Sequence, residues 1–327
     1  MIARITKLLI VAQVICATAF GYTVYWWAGT STAGSVLWGL LLVVLVRMAI
    51  VGNNFRIASR FWKKNKWTFD LGPSRVLGMF LREWAASMWS SSWTMPFGKW
   101  TWHNNDSSKT LPVVLVHGYA CNSGYWHSMR RALEAAGIRH EAVDLEPVFG
   151  DIDDYLPQVD RVIHSAMEAA GGKPVVIVGH SMGGLVARAY LRRYGFGRIA
   201  RIITIGTPHN GTVLARYSAG SNCKQMYYDA TSGRCSDWLE NLGKSHATDE
   251  RELITSIYSR HDNIIAPQGS CHLIGGKNVA FDAIGHVELG CHPAIHAAVI
   301  EEILEAGTMN KKGADAGSAI AIRQNTL

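Results

Sequence analysis

Ser181 stands in the run Gly179-His180-Ser181-Met182-Gly183, a serine with a glycine two residues away on either side. A serine hydroxyl is a weak nucleophile until a base takes its proton, and that base needs an acid to orient it. The chain offers both groups downstream. His286 follows Gly285, and His292 precedes Pro293. Asp237, Asp262 and Asp282 are the candidate acids among the carboxylates of the same stretch. Attack on an acyl carbon also needs backbone N–H donors aimed at the oxygen that becomes negative. The residue after the serine, Met182, supplies one of them.

Such a serine must be held by a strand that ends at it and a helix that starts from it. Pro174–Val178 is a short, wholly apolar strand, and a helix runs from the glycine turn through Tyr190–Arg193. The same alternation continues on both sides. Leu111–Val116 is a buried strand ending in His117-Gly118, and a helix is expected around Tyr125–Ala136. His140–Leu145 is the next strand, followed by a helix near Leu156–Ala170. Ile199–Ile205 closes on Gly206-Thr207-Pro208, and the apolar strand Ile254–Tyr258 leads to Asp262. Short apolar strands separated by amphipathic helices predict a mostly parallel sheet with helices on both faces. Ser181 then sits on a sharp turn at the carboxyl edge, where a side chain at the glycine positions would crowd the backbone. The helix that begins at Met182 directs its first N–H groups at negative charge.

With these motifs in family order, residues 111–306 resemble the α/β-hydrolase superfamily in its bacterial lipase/esterase branch. The matching residues are His117-Gly118-Tyr119, Gly179-His180-Ser181-Met182-Gly183-Gly184, Gly206-Thr207-Pro208-His209-Asn210-Gly211-Thr212, Asp262 with Pro267, and Gly285-His286. The resemblance implies the chain order serine, acid, histidine. Ser181 is then the nucleophile, Asp262 the orienting acid and His286 the base. It also implies Tyr119 as the second oxyanion donor beside Met182. Asp237 falls in the expected cap, Asp282 lies close to the histidine loop, and His292 suits a helix entry. The implied activity is hydrolysis of carboxylic or lipid esters through an acyl-enzyme, with no cofactor. A thioesterase or protein deacylase would use the same residues, and a catalytically idle membrane scaffold would keep the fold. Within residues 213–250, the expected small cap, Met226, Tyr227 and Trp238 are candidates for an acyl-binding slot. Tyr228, Leu239 and Leu242 share that character, and all six would equally pack the cap on the core.

The first third of the chain has a different composition. Of the formal net charge of +7, residues 1–110 carry +9 and the remainder −2. Ten of the twelve tryptophans also fall in residues 1–110. A basic stripe on a folded polar surface would suggest nucleic acid. Here the basic residues flank apolar sequence, so a bilayer is the expected partner. Leu8–Ala28 and Ala33–Val51 are each close to the roughly 20 residues that cross a bilayer core. They are joined by Gly29–Thr30–Ser31–Thr32, which suits a hairpin over residues 1–52. Arg4 and Lys7 precede the first stretch, and Arg47, Arg56, Arg60, Lys63, Lys64 and Lys66 end or follow the second. That bias places both ends on the cytoplasmic side of an inner or plasma membrane, with a periplasmic domain as the alternative. The competing reading is a secretory signal ending near Ala17–Thr18–Ala19.

Residues 53–110 form a basic, Trp-rich stretch in which Leu77, Phe80, Leu81, Trp84 and Met88 recur at helical spacing. Trp89, Trp93, Trp100 and Trp102 follow, and the segment reads as an interfacial helix. The catalytic domain spans 111–308, and 309–327 reads as a disordered tail. The pairs Cys223/Cys235 and Cys271/Cys291 bracket two loops and would suit disulfides in an oxidising compartment, against the charge bias. Cys271-His272 and Cys291-His292 match no usual zinc spacing, so no metal is expected.

Overall fold

The computed structural model describes residues 1–62, 70–98, 110–245 and 248–324. Lys63, Lys64, Lys66, Trp100 and Trp102 lie outside them. Six strands form one parallel sheet: β1 (Val113–Val116), β2 (His140–Val143), β3 (Val175–His180), β4 (Ile199–Ile205), β7 (Ile254–Ser259) and β8 (Lys277–Phe281). Their order is β2-β1-β3-β4-β7-β8. A two-residue pair, β5 (Tyr228–Asp229) and β6 (Arg234–Cys235), is antiparallel and separate.

Alternation along the strands divides the core into two layers. Val114, Val116, Val175, Ile177 and Ile202 face one side, against Leu156, Val159 and Ile163 of α6 (Leu156–Ala169) and Leu185 and Val186 of α7 (Met182–Tyr194). Val113, Leu115, Val176, Val178 and Ile203 face the other. There they meet Met129 and Leu133 of α5 (His127–Ala135) and Ile295, Val299 and Ile303 of α11 (Pro293–Gln324). Each such side chain contributes about 1.5–3 kcal/mol by leaving water, so these two layers dominate the stability. The cap between β4 and β7 contains α8 (Ser221–Gln225), the β5–β6 pair, α9 (Asp237–Lys244) and α10 (Thr248–Glu252). The backbone is helical to Gln324, where the sequence suggests a disordered tail from residue 309. Alanines at 314, 316, 319 and 321 favour that helix.

Ahead of the sheet, α1 (Ile2–Ala28) and α2 (Thr32–Trp62) form an antiparallel pair. Each is long and apolar enough to cross a membrane. Small residues let their backbones approach. A Cβ on Gly21 would lie 2.4 Å from the Ser35 carbonyl oxygen, and one on Gly39 2.5 Å from that of Ala17. Most of their large apolar side chains point outward, with Trp27 88% exposed at the hairpin tip. The ends opposite the tip dock on the rest of the molecule. Ile2 and Ile5 pack with Met95 and Val148, and Ala58, Ile57 and Phe61 pack with Leu214, Val213 and Ala266.

The next helix, α3 (Pro73–Trp89), continues through a π-helical turn, Ser90–Thr94, into α4 (Met95–Phe97). Its amphipathic stripe is split between two environments. Met79, Phe80 and Trp84 pack with Val51 and Phe55 of α2, whereas Leu77, Leu81, Trp89, Trp93 and Phe97 stay exposed.

Candidate active site

β3 ends at His180, and Ser181 takes φ +53° before α7 begins. A positive φ is strained for a side chain larger than hydrogen and persists only where neighbours over-determine it. Here they do. The Ser181 N–H donates to the Ile205 carbonyl at 2.8 Å, and the Ser181 carbonyl accepts from the Thr207 hydroxyl at 2.9 Å and the Gly184 N–H at 3.1 Å. The flanking glycines are required by contact. A Cβ on Gly183 would lie 2.1 Å from the Val116 carbonyl oxygen, and one on Gly184 2.1 Å from the Thr207 hydroxyl oxygen.

Asp262 follows β7 and His286 follows β8, so each reaches the site from a strand end. The His286 Nδ1 lies 2.7 Å from Asp262 Oδ2. An ionised carboxylate can only accept, so Nδ1 carries the proton and Nε2 is left as the basic atom. The other carboxylate oxygen of Asp262 accepts from the N–H groups of Ile264 and Ile265 at 2.7 and 2.8 Å. The Asp262 side chain is fully buried. Burial opposes charging His286, but the Asp262 charge and hydrogen bond, with the nearby Glu83 charge, outweigh it and raise the imidazole above its ordinary range. Gly206, at φ +55°, leaves room for the pair. A Cβ there would lie 2.7 Å from Leu289 Cδ1 and 3.3 Å from His286 Nδ1.

Ser181 and His286 line one cavity of about 610 Å³, together with Gly118, Tyr119, Tyr125 and His180. The Gly118 loop lies against the serine, since a Cβ on Gly118 would be 3.0 Å from Ser181 Cβ. Met182 buries its side chain in the core and offers its backbone at the start of α7. His180 stacks on Tyr125 with ring centroids 4.4 Å apart, and its Nε2 lies 3.1 Å from the His286 carbonyl oxygen. That carbonyl only accepts, so Nε2 of His180 is the protonated nitrogen. Burial pushes its pKa well below the ordinary histidine value, so it is neutral.

Of the three cap candidates the structure brings Met226 to the cavity and not Tyr227 or Trp238. Tyr227 packs on the core beside Met226. Trp238 is turned away, its indole N–H donating to Asp153 at 2.7 Å with the Arg192 guanidinium over its ring. Leu239 and Leu242 are core residues. The rival carboxylate Asp282 pairs with Arg260 at 2.7 Å. Asp237 starts α9, and His292 precedes α11. All six cysteines are free, so neither suggested disulfide is formed. Among the described residues no group of three His, Cys, Asp or Glu side chains is placed to hold a metal ion.

Two carboxylates that the motif reading missed support the histidine loop. Glu83, buried on α3, accepts from the Val287 N–H at 3.1 Å and the Glu288 N–H at 2.9 Å. Burial pushes its carboxyl up to about 7. Glu288 accepts from the Gly285 N–H at 3.1 Å and pairs with Arg82. Asn263 holds the His286 N–H at 2.8 Å. The available signal for Glu83 was an acid four residues after Met79 on the inward face of an otherwise basic segment.

The family model for the alpha/beta hydrolase fold matches residues 112–227. The chain is 30% identical over 114 residues to a triacylglycerol lipase of Pseudarthrobacter phenanthrenivorans, covering 32% of this chain and 35% of that one. It is 34% identical over 87 residues to a probable esterase of Oryza sativa subsp. indica, covering 25% and 33% of the two chains. The matched segment thus spans about a third of these relatives. Aspergillus fumigatus lipase B superposes with a TM-score of 0.50 at 19% identity, over 59% of this chain and 52% of that one. The chain has the α/β-hydrolase fold, preceded by two long apolar helices.

Proposed function

We propose that this α/β-hydrolase-fold chain is a membrane-anchored serine hydrolase of carboxylic esters, lipid esters among them. Ser181 Oγ attacks the acyl carbon while His286 Nε2 takes its proton and Asp262 stabilises the imidazolium. The electron pair of the carbonyl moves to its oxygen, which the N–H groups of Met182 and Tyr119 receive. Collapse breaks the ester bond, and the leaving alkoxide takes the proton from His286. Water, deprotonated by the same nitrogen, then releases the carboxylic acid and restores the serine. No cofactor takes part.

The observation that carries this reading is the convergence on one cavity of a strained serine and a histidine whose Nδ1 is held by a buried aspartate. The lipase and esterase names of the partial relatives favour ester chemistry. For the membrane, support comes from outward-facing apolar residues on α1 and α2 and from exposed Leu77, Leu81, Trp89, Trp93 and Phe97 beside them. Arg4, Lys7, Arg56 and Arg60 at the docked ends favour a cytoplasmic catalytic domain.

A fluorophosphonate probe tests the chemistry by labelling Ser181 covalently. Labelling that persists in Ser181→Ala refutes the assignment. Side-by-side turnover of matched oxygen esters and thioesters separates an esterase from a thioesterase or deacylase. For sidedness, a reporter fused after Leu327 that is active only outside the cytoplasm reverses the orientation.

A further inference from the structure

The cavity that holds Ser181 is lined by apolar residues and by a polar group from a different part of the chain. Leu214, Ala215, Met226, Ile264 and Ile265 supply apolar lining. The N-terminal third of the chain adds Ile57 and Met95 and a set of polar residues, Asn53, Asn54, Arg56 and Arg60 of α2 and Ser90 and Ser91 of the π-helical turn. Asn53, Arg56, Ile57 and Arg60 follow the i, i+3, i+4, i+7 pattern, so they form one stripe along α2. Other faces of the same turns are already used. Val51 and Phe55 pack on α3, and Ala58 packs against Leu214 and Ala266.

Among the described residues neither arginine has a counter-charge. Arg56 Nε and Nη2 reach only the Asn53 side-chain oxygen, at 3.3 and 2.9 Å, and Arg60 makes no ion pair among the described residues. The described lining residues include no aspartate or glutamate. Asp262 is buried, engaged by His286 and two backbone N–H groups, and Glu83 is spent on the histidine loop. The cavity thus combines a candidate nucleophile, apolar lining and two guanidinium groups, unpaired among the described residues, one helical turn apart, about 6 Å along the axis; an anion attached to an acyl group would match that combination. Planar guanidinium forks bind phosphate oxygens in pairs. The stripe also begins where the apolar run of α2 ends, near Val51. On a membrane-spanning α2 this is the depth of lipid head groups.

We propose that Arg56 and Arg60 form a head-group subsite, and that the substrate is an ester lipid carrying a phosphate, bound with its phosphate on α2 and its acyl ester at Ser181. This rests on the ester-hydrolase reading above and narrows it to a class of lipid.

The test uses the full chain in a neutral detergent and has two arms. In the first, Ser181→Ala protein is titrated with dodecyl phosphate, dodecyl phosphocholine and inorganic phosphate. Dodecyl phosphate is expected to bind most tightly, and Arg56→Gln with Arg60→Gln is expected to weaken it by about tenfold or more, which is ~1.4 kcal/mol per tenfold. Added salt should weaken wild-type binding more than that of the double variant. Equal affinity in the double variant overturns the subsite, and inorganic phosphate binding as tightly as dodecyl phosphate overturns its assignment to a lipid. Arg56→Lys with Arg60→Lys keeps the charge and is expected to retain the preference, which guards against a variant that merely fails to fold.

In the second arm, kcat/KM is compared for dihexanoyl phosphatidate and dihexanoylglycerol. The ratio is expected to fall by about tenfold in the Gln variant, by the same conversion. An unchanged ratio overturns the subsite. Wild-type protein that hydrolyses neither ester and takes no fluorophosphonate refutes the hydrolase reading, and the binding arm then decides the subsite by itself.

Discussion

Glu83 holds His286 from behind. Its carboxylate, on α3, accepts the N–H groups of Val287 and Glu288, the two residues that follow the histidine. These bonds fix the turn on which the imidazole stands, and the Glu83 charge helps raise the His286 pKa. Because α3 also packs on α2 through Met79, Phe55 and Val51, the apolar hairpin and the histidine loop are joined by one helix. Ala283, three residues before His286, lies in the same apolar cluster.

Glu83→Gln leaves one backbone N–H facing an amide NH₂ in place of an oxygen. An unsatisfied buried donor costs about 1–3 kcal/mol of stability, and the loosened histidine turn should also lower kcat. Since His286 must be neutral at Nε2, activity is lost as pH falls through its raised pKa. Glu83 itself protonates near pH 7, so its charge is only partly present where His286 titrates, and Glu83→Gln should move the acid limb of kcat/KM to lower pH by a small amount. A purely structural role would lower kcat without moving the limb, and a wild-type profile with wild-type kcat sinks the assignment. Stability carries the same signature. The Glu83 pKa is raised by burial from 4.5 to about 7 in the fold, so its contribution is complete below pH 4.5 and is lost as pH rises through about 7. The Tm of the wild type should therefore decline over that window more than the Tm of Glu83→Gln.

Asp262→Asn is expected to be far more damaging to catalysis. The asparagine must turn its oxygen either to the N–H groups of Ile264 and Ile265 or to His286, and cannot serve both. If the amide donates to Nδ1, the proton moves to Nε2 and the base is lost. Loss of this tautomer control costs about 10⁴-fold in kcat in serine proteases, and a fall of that order should appear in steady-state ester hydrolysis and in the rate of fluorophosphonate labelling. A fall of less than about tenfold would mean that another group orients His286.

What could be read from residue order alone was the part encoded locally. The serine turn follows from one apolar strand, a glycine-flanked serine and a helix, and β4 spans the same Ile199–Ile205 as the apolar run that suggested it. Asp262 and His286 came from chain order, and the structure brings them within 2.7 Å. The acyl-slot candidates fared differently, because cap elements such as α8 and α9, five and eight residues long, are too short for periodicity to tell inward from outward. Trp238 therefore looked like Met226. β8 was not distinguished, since Lys277–Phe281 is a partly exposed edge strand with no wholly apolar run. Glu83 was out of reach for another reason. Its partners lie 204 and 205 residues away, and no local pattern records such a contact.

Glu302 tests the attachment of α11 to the sheet. It is nearly fully buried, accepts from the Thr255 hydroxyl at 2.6 Å and lies 3.4 Å from the Arg201 guanidinium and 2.6 Å from Lys277. Glu302→Ala would leave Arg201 buried opposite a void. Removing one partner of a buried pair typically costs about 3–5 kcal/mol, and a urea unfolding midpoint should drop accordingly. Glu302→Gln, which keeps an oxygen for Thr255, should cost less. Equal midpoints for Glu302→Ala and the wild type would show that Thr255, Met309 and solvent carry Arg201 without it.

Cys121 lines the same cavity as Ser181 and is the obvious competitor for nucleophile. Burial pushes its thiol up to about 12, leaving a thiolate share on the order of one in 10⁵ at pH 7. Among the described residues no histidine or lysine charge offsets that effect of burial. Cys223, also in the cavity wall, is raised by burial as well. Hydrolysis at pH 7 should therefore survive brief treatment with N-ethylmaleimide and be abolished by a fluorophosphonate. Maleimide inactivation of the wild type together with loss of hydrolysis in Cys121→Ser would move the attacking atom from oxygen to sulfur, whereas an active, maleimide-resistant Cys121→Ser would show only that alkylation blocks the cavity.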